Sequence, residues 1–230
     1  MSTNSFIAKL LRFIGIVLMG LTGGFTLLGG IGTSCAALFP TSYESMAALA
    51  PFQWLYILFV LTGIALGILG VRATIMLIKG ASKSYRDALY VLVGGVLIGF
   101  LHIAVSRALR GKSMPVDAVV YTTVLTLIVF LLFRIPAIWQ GVNFTRGNAK
   151  SNRSAGGAAT IVLGLLTLTI QYTMGPTHTW GGVNYADAFN GLMTIAGLMC
   201  LLSGAGLMSR MDIPGRLRQA FYVGSGPNLE

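Results

Sequence analysis

Residues 90–135 read YVLVGGVLIGFLHIAVSRALRGKSMPVDAVVYTTVLTLIVFLLFRI. Two apolar runs, each long enough to cross a bilayer, flank a short link that carries Arg107, Arg110, Lys112 and Asp117. His102 is the only histidine inside an apolar run, five residues before Arg107. This hairpin decides the fold class, because runs of this length without charge belong in lipid. It is also where ionisable side chains come nearest to membrane depth, so it is the first place to look for function.

The rest of the chain has the same character. Of 230 residues, 55% are hydrophobic and 10% charged, against about 25% charged in a soluble domain. The runs are continuous, whereas barrel strands alternate polar and apolar residues over about ten positions. Thirty glycines suit helices that pack closely in lipid through small residues. The expected fold is an all-α membrane protein, a six-helix transmembrane bundle forming one domain over residues 1–230. The expected spans are about 13–39, 51–78, 88–108, 115–133, 155–174 and 188–208, with a short tail at 209–230.

Charge gives the expected orientation. Every Lys and Arg except Arg107, Arg110 and Lys112 falls at the N-terminus, in the links 79–87 and 134–154, at a span end beside them (Arg72), or in the tail. The positive-inside rule then puts both termini in the cytoplasm. Asp87, Asp212 and Glu230 join them, while Glu44, Asp117 and Asp187 face out. The outer side is then neutral and the inner side holds the whole net charge of +10. Orientation accounts for the basic balance, so no nucleic-acid partner is expected; the expected partners are the lipid bilayer and other membrane subunits or a second copy. The expected location is the plasma (inner) membrane.

Local signals fill in the links. Lys9 and Arg12 precede the first run, in the order of a secretory signal. The run is too long for a signal core, so the first span is expected to stay uncleaved. Pro51 opens the second span, with Trp54 and Tyr56 at interfacial depth. Gly141–Ser154 (GVNFTRGNAKSNRS) has no apolar period and reads as a mobile cytoplasmic loop, which would keep the sequons at Asn143 and Asn152 unglycosylated. Pro214–Tyr222 could form a short helix on the membrane surface. Cys35 and Cys200 read as small apolar residues that do not pair. No internal repeat is visible, and the fourth span, unlike the first three, has no glycine.

Chemical motifs are sparse. Gly111-Lys112-Ser113 resembles the end of a phosphate loop, but Ser106 stands where its first glycine belongs and no strand precedes it. No zinc, nucleophile-elbow or dinucleotide motif occurs. Two histidines, His102 and His178, make a poor basis for haem, and no cofactor is expected. What remains is a candidate polar site at the outer end: His102, Ser106, Arg107, Arg110, Asp117, Gln171, His178 and Asp187. His102 and Ser106 are i and i+4 and share a helix face, with Arg110 one turn on. His102 reads either as a neutral histidine satisfied by a neighbouring Ser, Thr or carbonyl, or as a proton-sensitive or ligand-binding group. Arg107, Arg110 and Lys112 read as solvated or lipid-phosphate contacts, as partners of Asp117, Asp187 or Glu44, or as an anion site. The polar and aromatic side chains around Gln171 and His178 read as an interfacial belt or as a partner-docking or small-ligand surface.

Three function classes follow. A non-catalytic structural or accessory component of a membrane complex fits the glycine packing steps and the sparse ionisable groups. A small-solute or ion transporter or channel would need a polar path through the midplane. A membrane enzyme or electron carrier would need paired carboxylates, a nucleophile with its base, or a metal cluster, and none is legible. A dry bundle favours the first class; a wet groove reaching His102 favours the second.

Overall fold

The computed structural model describes residues 2–209 apart from 43, 114, 148, 174, 176–178, 181, 185, 186, 188 and 189. The expected surface helix at Pro214–Tyr222 therefore lies outside the described residues. The chain is almost entirely helical. Helix α1 spans Phe6–Leu38. Two 3-10 stretches, Pro40–Ser42 and Glu44–Phe52, lead to α2, Gln53–Lys79. Then come α3 at Ser84–Arg110 and α4 at Val116–Phe133. A short α5, Pro136–Val142, and a 3-10 turn, Phe144–Arg146, precede α6 at Ala149–Leu168. A one-turn α7, Ile170–Thr173, is followed by an antiparallel pair of two-residue strands, β1 (Thr179–Trp180) and β2 (Val183–Asn184). Helix α8, Asn190–Ser209, is the last described element.

Among the described residues five helices are long and apolar enough to cross a membrane: α1, the stretch Met46–Lys79 containing α2, α3, α4 and α8. This fits an integral membrane bundle. The run expected at 155–174 differs. Its helix starts at Ala149, so Lys150, Asn152 and Arg153 occupy the first turns, and it ends at Leu168. Only about 14 residues from Ala155 are apolar, roughly 21 Å at 1.5 Å per residue against a hydrocarbon core of about 30 Å.

Helix α1 is the hub, packing against α2, α4 and α6, while α3 closes a four-helix unit between α2 and α4. Small residues set the separation of α1 and α2. A Cβ on Gly67 would come 2.5 Å from Leu27 Cα, so only glycine allows this crossing. Gly80 ends α2 in the left-handed region at φ 67°, and its N–H donates to Leu77 O. On the other side of α1, Gly20 meets Ala159 and Gly24 meets Leu163, so α6 runs parallel to α1. Helix α8 returns antiparallel along α6 through Gly157 with Gly204 and Gly164 with Gly197. Its Leu192, Ile195, Met199 and Leu202 face outward.

The end of the bundle carrying residues 79–87 and 134–154, the basic end, holds the main core. Phe130 and Phe133 of α4, Phe144, Tyr85, Leu77, Leu92, Ile16 and Met19 are buried there. Phe130 stacks on Tyr85 and on Phe144 with interplanar angles of 13° in both cases, and the Tyr85 hydroxyl donates to Phe130 O. The stretch 141–154, expected as a mobile loop, is instead part of this core. Val142 and Phe144 are buried, and the segment is tied down by two helix-end contacts that no periodicity reveals. Arg12, only 1% exposed, donates from Nη1 to Gly141 O at 2.7 Å and from Nη2 to Thr3 O at 2.9 Å. Its charge thus sits at the negative end of α5. Asn152, also buried, directs Nδ2 at Leu77 O and Ile78 O, 3.4 and 3.5 Å away, at the end of α2.

Candidate functional site

At the opposite end of the four-helix unit, side chains shrink and a cavity opens. Gly29 and Gly30 of α1, Gly63 of α2, and Gly95 and Gly99 of α3 surround about 80 Å³ of free space, with His102 in the wall. Phe59 of α2 stacks on the imidazole at 4.4 Å between centroids and 15° between planes, and Tyr56 meets it edge-on at 5.4 Å. These residues recur on one face of α2 at i, i+3 and i+7, which is how Tyr56, Phe59 and Gly63 reach one spot.

The Tyr56 hydroxyl bonds Ser106 Oγ at 2.8 Å, both groups being buried. Ser106 therefore serves Tyr56 rather than His102. Among the described residues no hydrogen bond reaches the imidazole, so the reading of His102 as satisfied by a neighbouring Ser, Thr or carbonyl is not what the side chains do. The threonines in the wall give it no donor either. Thr26, Thr33 and Thr123 each donate their hydroxyl proton to the carbonyl four residues earlier, at 2.7, 2.7 and 2.8 Å. Their methyls and the neighbouring Val and Leu side chains make the wall mostly apolar.

Beyond the cavity, the α3–α4 link is closed by an ion pair. Arg107 donates from Nε to Ser113 Oγ at 2.9 Å and from Nη2 to Asp117 Oδ2 at 3.1 Å. Asp117 lies in the first turn of α4, where a carboxylate also suits the helix dipole. Gly111 turns the chain out of α3 at φ 66° and its N–H caps Arg107 O. Arg110 contacts Met46 Sδ and donates to Lys112 O at 3.3 Å, with no ion pair among the described residues. Of the pairings considered for these cations, Arg107 with Asp117 is present. The side chain of Glu44 lies outside the described residues.

The eight-residue polar patch thus divides. His102, Ser106, Arg107, Arg110 and Asp117 gather on α3 and the start of α4. Gln171 and Asp187 belong to the α7 and β-hairpin region, where Asn184 links them: its Nδ2 donates to Gln171 O at 3.2 Å and its Oδ1 accepts from the Asp187 N–H at 3.3 Å. Among the described residues no hydrogen bond or ion pair joins this second group to the first. His178 lies outside the described residues.

Between the cavity and the basic end, Thr22 of α1 and Thr126 of α4 share a hydrogen bond of 2.7 Å. Beneath that pair the fully buried layer of Leu92, Phe130, Ile16 and Met19 begins. The site is thus a closed-bottomed apolar chamber with one open imidazole. Among the described residues no three His, Cys, Asp or Glu side chains gather as metal ligands, and Cys200 is free.

Sequence reasoning missed Tyr56 and Phe59 as the partners of His102, and Arg12 and Asn152 as buried groups. The i, i+3, i+7 spacing on α2 was the available signal for the first pair. For Arg12 and Asn152 there was none, because their partners are backbone carbonyls distant in sequence. No protein-family model, curated protein or solved structure gives a significant match to this chain.

Proposed function

We propose that this chain is a six-pass integral membrane protein of the plasma (inner) membrane, both termini cytoplasmic, acting as a non-catalytic structural or accessory component of a membrane complex. The alternation of direction supports six passes. Close contacts make α1 antiparallel to α2, α3 antiparallel to α4, α6 parallel to α1 and α8 antiparallel to α6. The polar start of α6 would then lie in the cytoplasmic interface. Arg134, over the rings of Tyr85 and Trp139 at 5.9 and 5.7 Å, would anchor the same boundary.

The observation that carries the component reading is the dry layer across α1–α4. Leu77, Leu92, Phe130 and Phe144 are each 0 or 1% exposed, and the ionisable side chain of α3 in that layer, Tyr85, has its hydroxyl proton committed to Phe130 O. A conduit needs polar groups there. The outward apolar face of α8 supports a lateral neighbour in the membrane. The test is extraction from native membranes in mild detergent, native-gel sizing and mass spectrometry. Stoichiometric co-migration with other membrane subunits is expected; a lone monomer would sink the reading.

A second reading, a small-solute or ion transporter with its site at the His102 end, is favoured by the cavity itself. It requires the aromatic layer to open. Protein-dependent flux in proteoliposomes that is lost in His102→Phe would establish it.

A further inference from the structure

We infer that the His102 cavity is a binding site for a small uncharged molecule with one hydroxyl or carbonyl group on an apolar body. The inference stands apart from the component reading, since a subunit and a free-standing protein can both hold such a ligand.

Four observations carry it. First, the imidazole is 9% exposed, lines the cavity and lacks a hydrogen-bond partner among the described residues. An imidazole nitrogen without a protein partner can be answered by a guest in the cavity. Second, the rest of the wall is mostly apolar and its hydroxyls offer a guest only acceptors. The threonine protons are already committed to backbone carbonyls, and a buried water wants two to four polar partners. Third, no charged side chain lines the cavity among the described residues. Arg107 is tied to Asp117, and Arg110 is turned to Met46 and Lys112. A charged ligand would lose its hydration without replacement. Fourth, the space is not forced by helix packing at every point. A Cβ on Gly63 would meet only Gly30 Cα, at 3.6 Å, an ordinary contact. An alanine fits there, yet the position is left open beside the cavity.

Size and access narrow the class. About 80 Å³ is roughly half of an apolar cavity of about 150 Å³ that admits benzene, enough for a body of a few heavy atoms. Thr33, Pro115 and Val116, half-buried residues at the far ends of α1 and α4, belong to the wall, so access is from that end. Phe59 and Tyr56 hold the ring by one face and one edge, which fixes where its nitrogens meet the ligand.

The test uses the full chain in lipid nanodiscs, labelled with ¹⁵N-histidine and carrying His178→Gln so that one imidazole reports. 1-Propanol is titrated while the His102 nitrogen shifts are followed. Expected is a saturable shift, with cross-relaxation between propanol methylene protons and the threonine or valine methyls of the wall. Gly63→Ala, which narrows the space without a clash, should weaken apparent affinity several-fold, and Gly63→Val at least tenfold. A shift that rises linearly without saturation, or that is unchanged in both Gly63 variants, overturns the proposal. So does an imidazole that exchanges only with water and ignores the probe. Should Gly63→Val fail to fold, Gly63→Ala alone decides.

Discussion

The two ends of the α1–α4 unit share four helices and differ in what fills the space between them. At the basic end Phe130, Phe133 and Phe144 pack with Tyr85, and the turns between helices are locked by Arg12 and Asn152. At the other end glycines on three helices leave a chamber beside His102, closed outside by the partly exposed pair Arg107–Asp117. The first arrangement gives stability and excludes water. The second gives up packing and leaves a polar atom open. On the proposed reading binding belongs to one end and rigidity to the other, although the backbone geometry is continuous between them.

The largest expected effect that would break this contrast is at the rigid end. Phe130→Ala should cost about 3–5 kcal/mol, the range for deleting a fully buried aromatic side chain. Thermal unfolding in detergent would read it. Gly63→Ala at the chamber should be close to neutral in the same assay. If the two variants unfold alike, the ends do not differ as described.

Arg12→Met comes next. It removes two charge-assisted hydrogen bonds and leaves the buried Gly141 O and the half-buried Thr3 O without their donors, so a loss of about 2–3 kcal/mol is expected. Arg12→Lys should recover only part, because one ammonium replaces a planar fork that reaches two carbonyls. Protease sensitivity within residues 141–154 should rise in both. Unchanged protection would mean that Arg12 does not hold this segment.

Ser106→Ala is a smaller effect. It leaves the Tyr56 hydroxyl buried and unpaired, at a cost of about 1 kcal/mol. The pairing is sharpened by Tyr56→Phe, which should partly rescue Ser106→Ala in a double-mutant cycle. Independent, additive losses would contradict the hydrogen bond between them. Smallest of all is Asp117→Asn, since its partner Arg107 is half-exposed. Its effect on melting should be slight and should fade as salt is raised.

Much of the bundle was legible in the sequence because lipid imposes long apolar runs. The extents of α3 and α4 are close to the runs around His102 and Thr126, while the glycine caps at Gly80 and Gly111 lie a few residues beyond the span ends expected at about 78 and 108. What escaped has a common cause. The segment 141–154 looks polar in sequence, yet it is ordered by a few contacts, Phe144 with Phe130 and Arg12 with Gly141, whose partners lie far away along the chain. The start of α6 escaped likewise, because Asn152 is stabilised by carbonyls of α2 rather than by neighbours. At the site, the face shared by His102 and Ser106 was readable from i, i+4 spacing. That Phe59 and Tyr56 would take the imidazole, and that Gln171 and Asp187 would sit apart, depends on which helices become neighbours, and no local pattern encodes that.

The central claim is that a dry layer separates the His102 chamber from the basic end. It is tested most directly by cysteine accessibility in sealed proteoliposomes, after Cys35→Ser and Cys200→Ser. Single cysteines would be placed at Gly63 in the chamber and at Leu92 and Leu77 in the layer, and a membrane-impermeant thiol reagent added to each side in turn. Labelling of Gly63→Cys from the chamber side alone, with Leu92→Cys and Leu77→Cys protected from both sides, is the predicted result. Labelling of Leu92→Cys from either side would show a water path through the bundle and contradict the account.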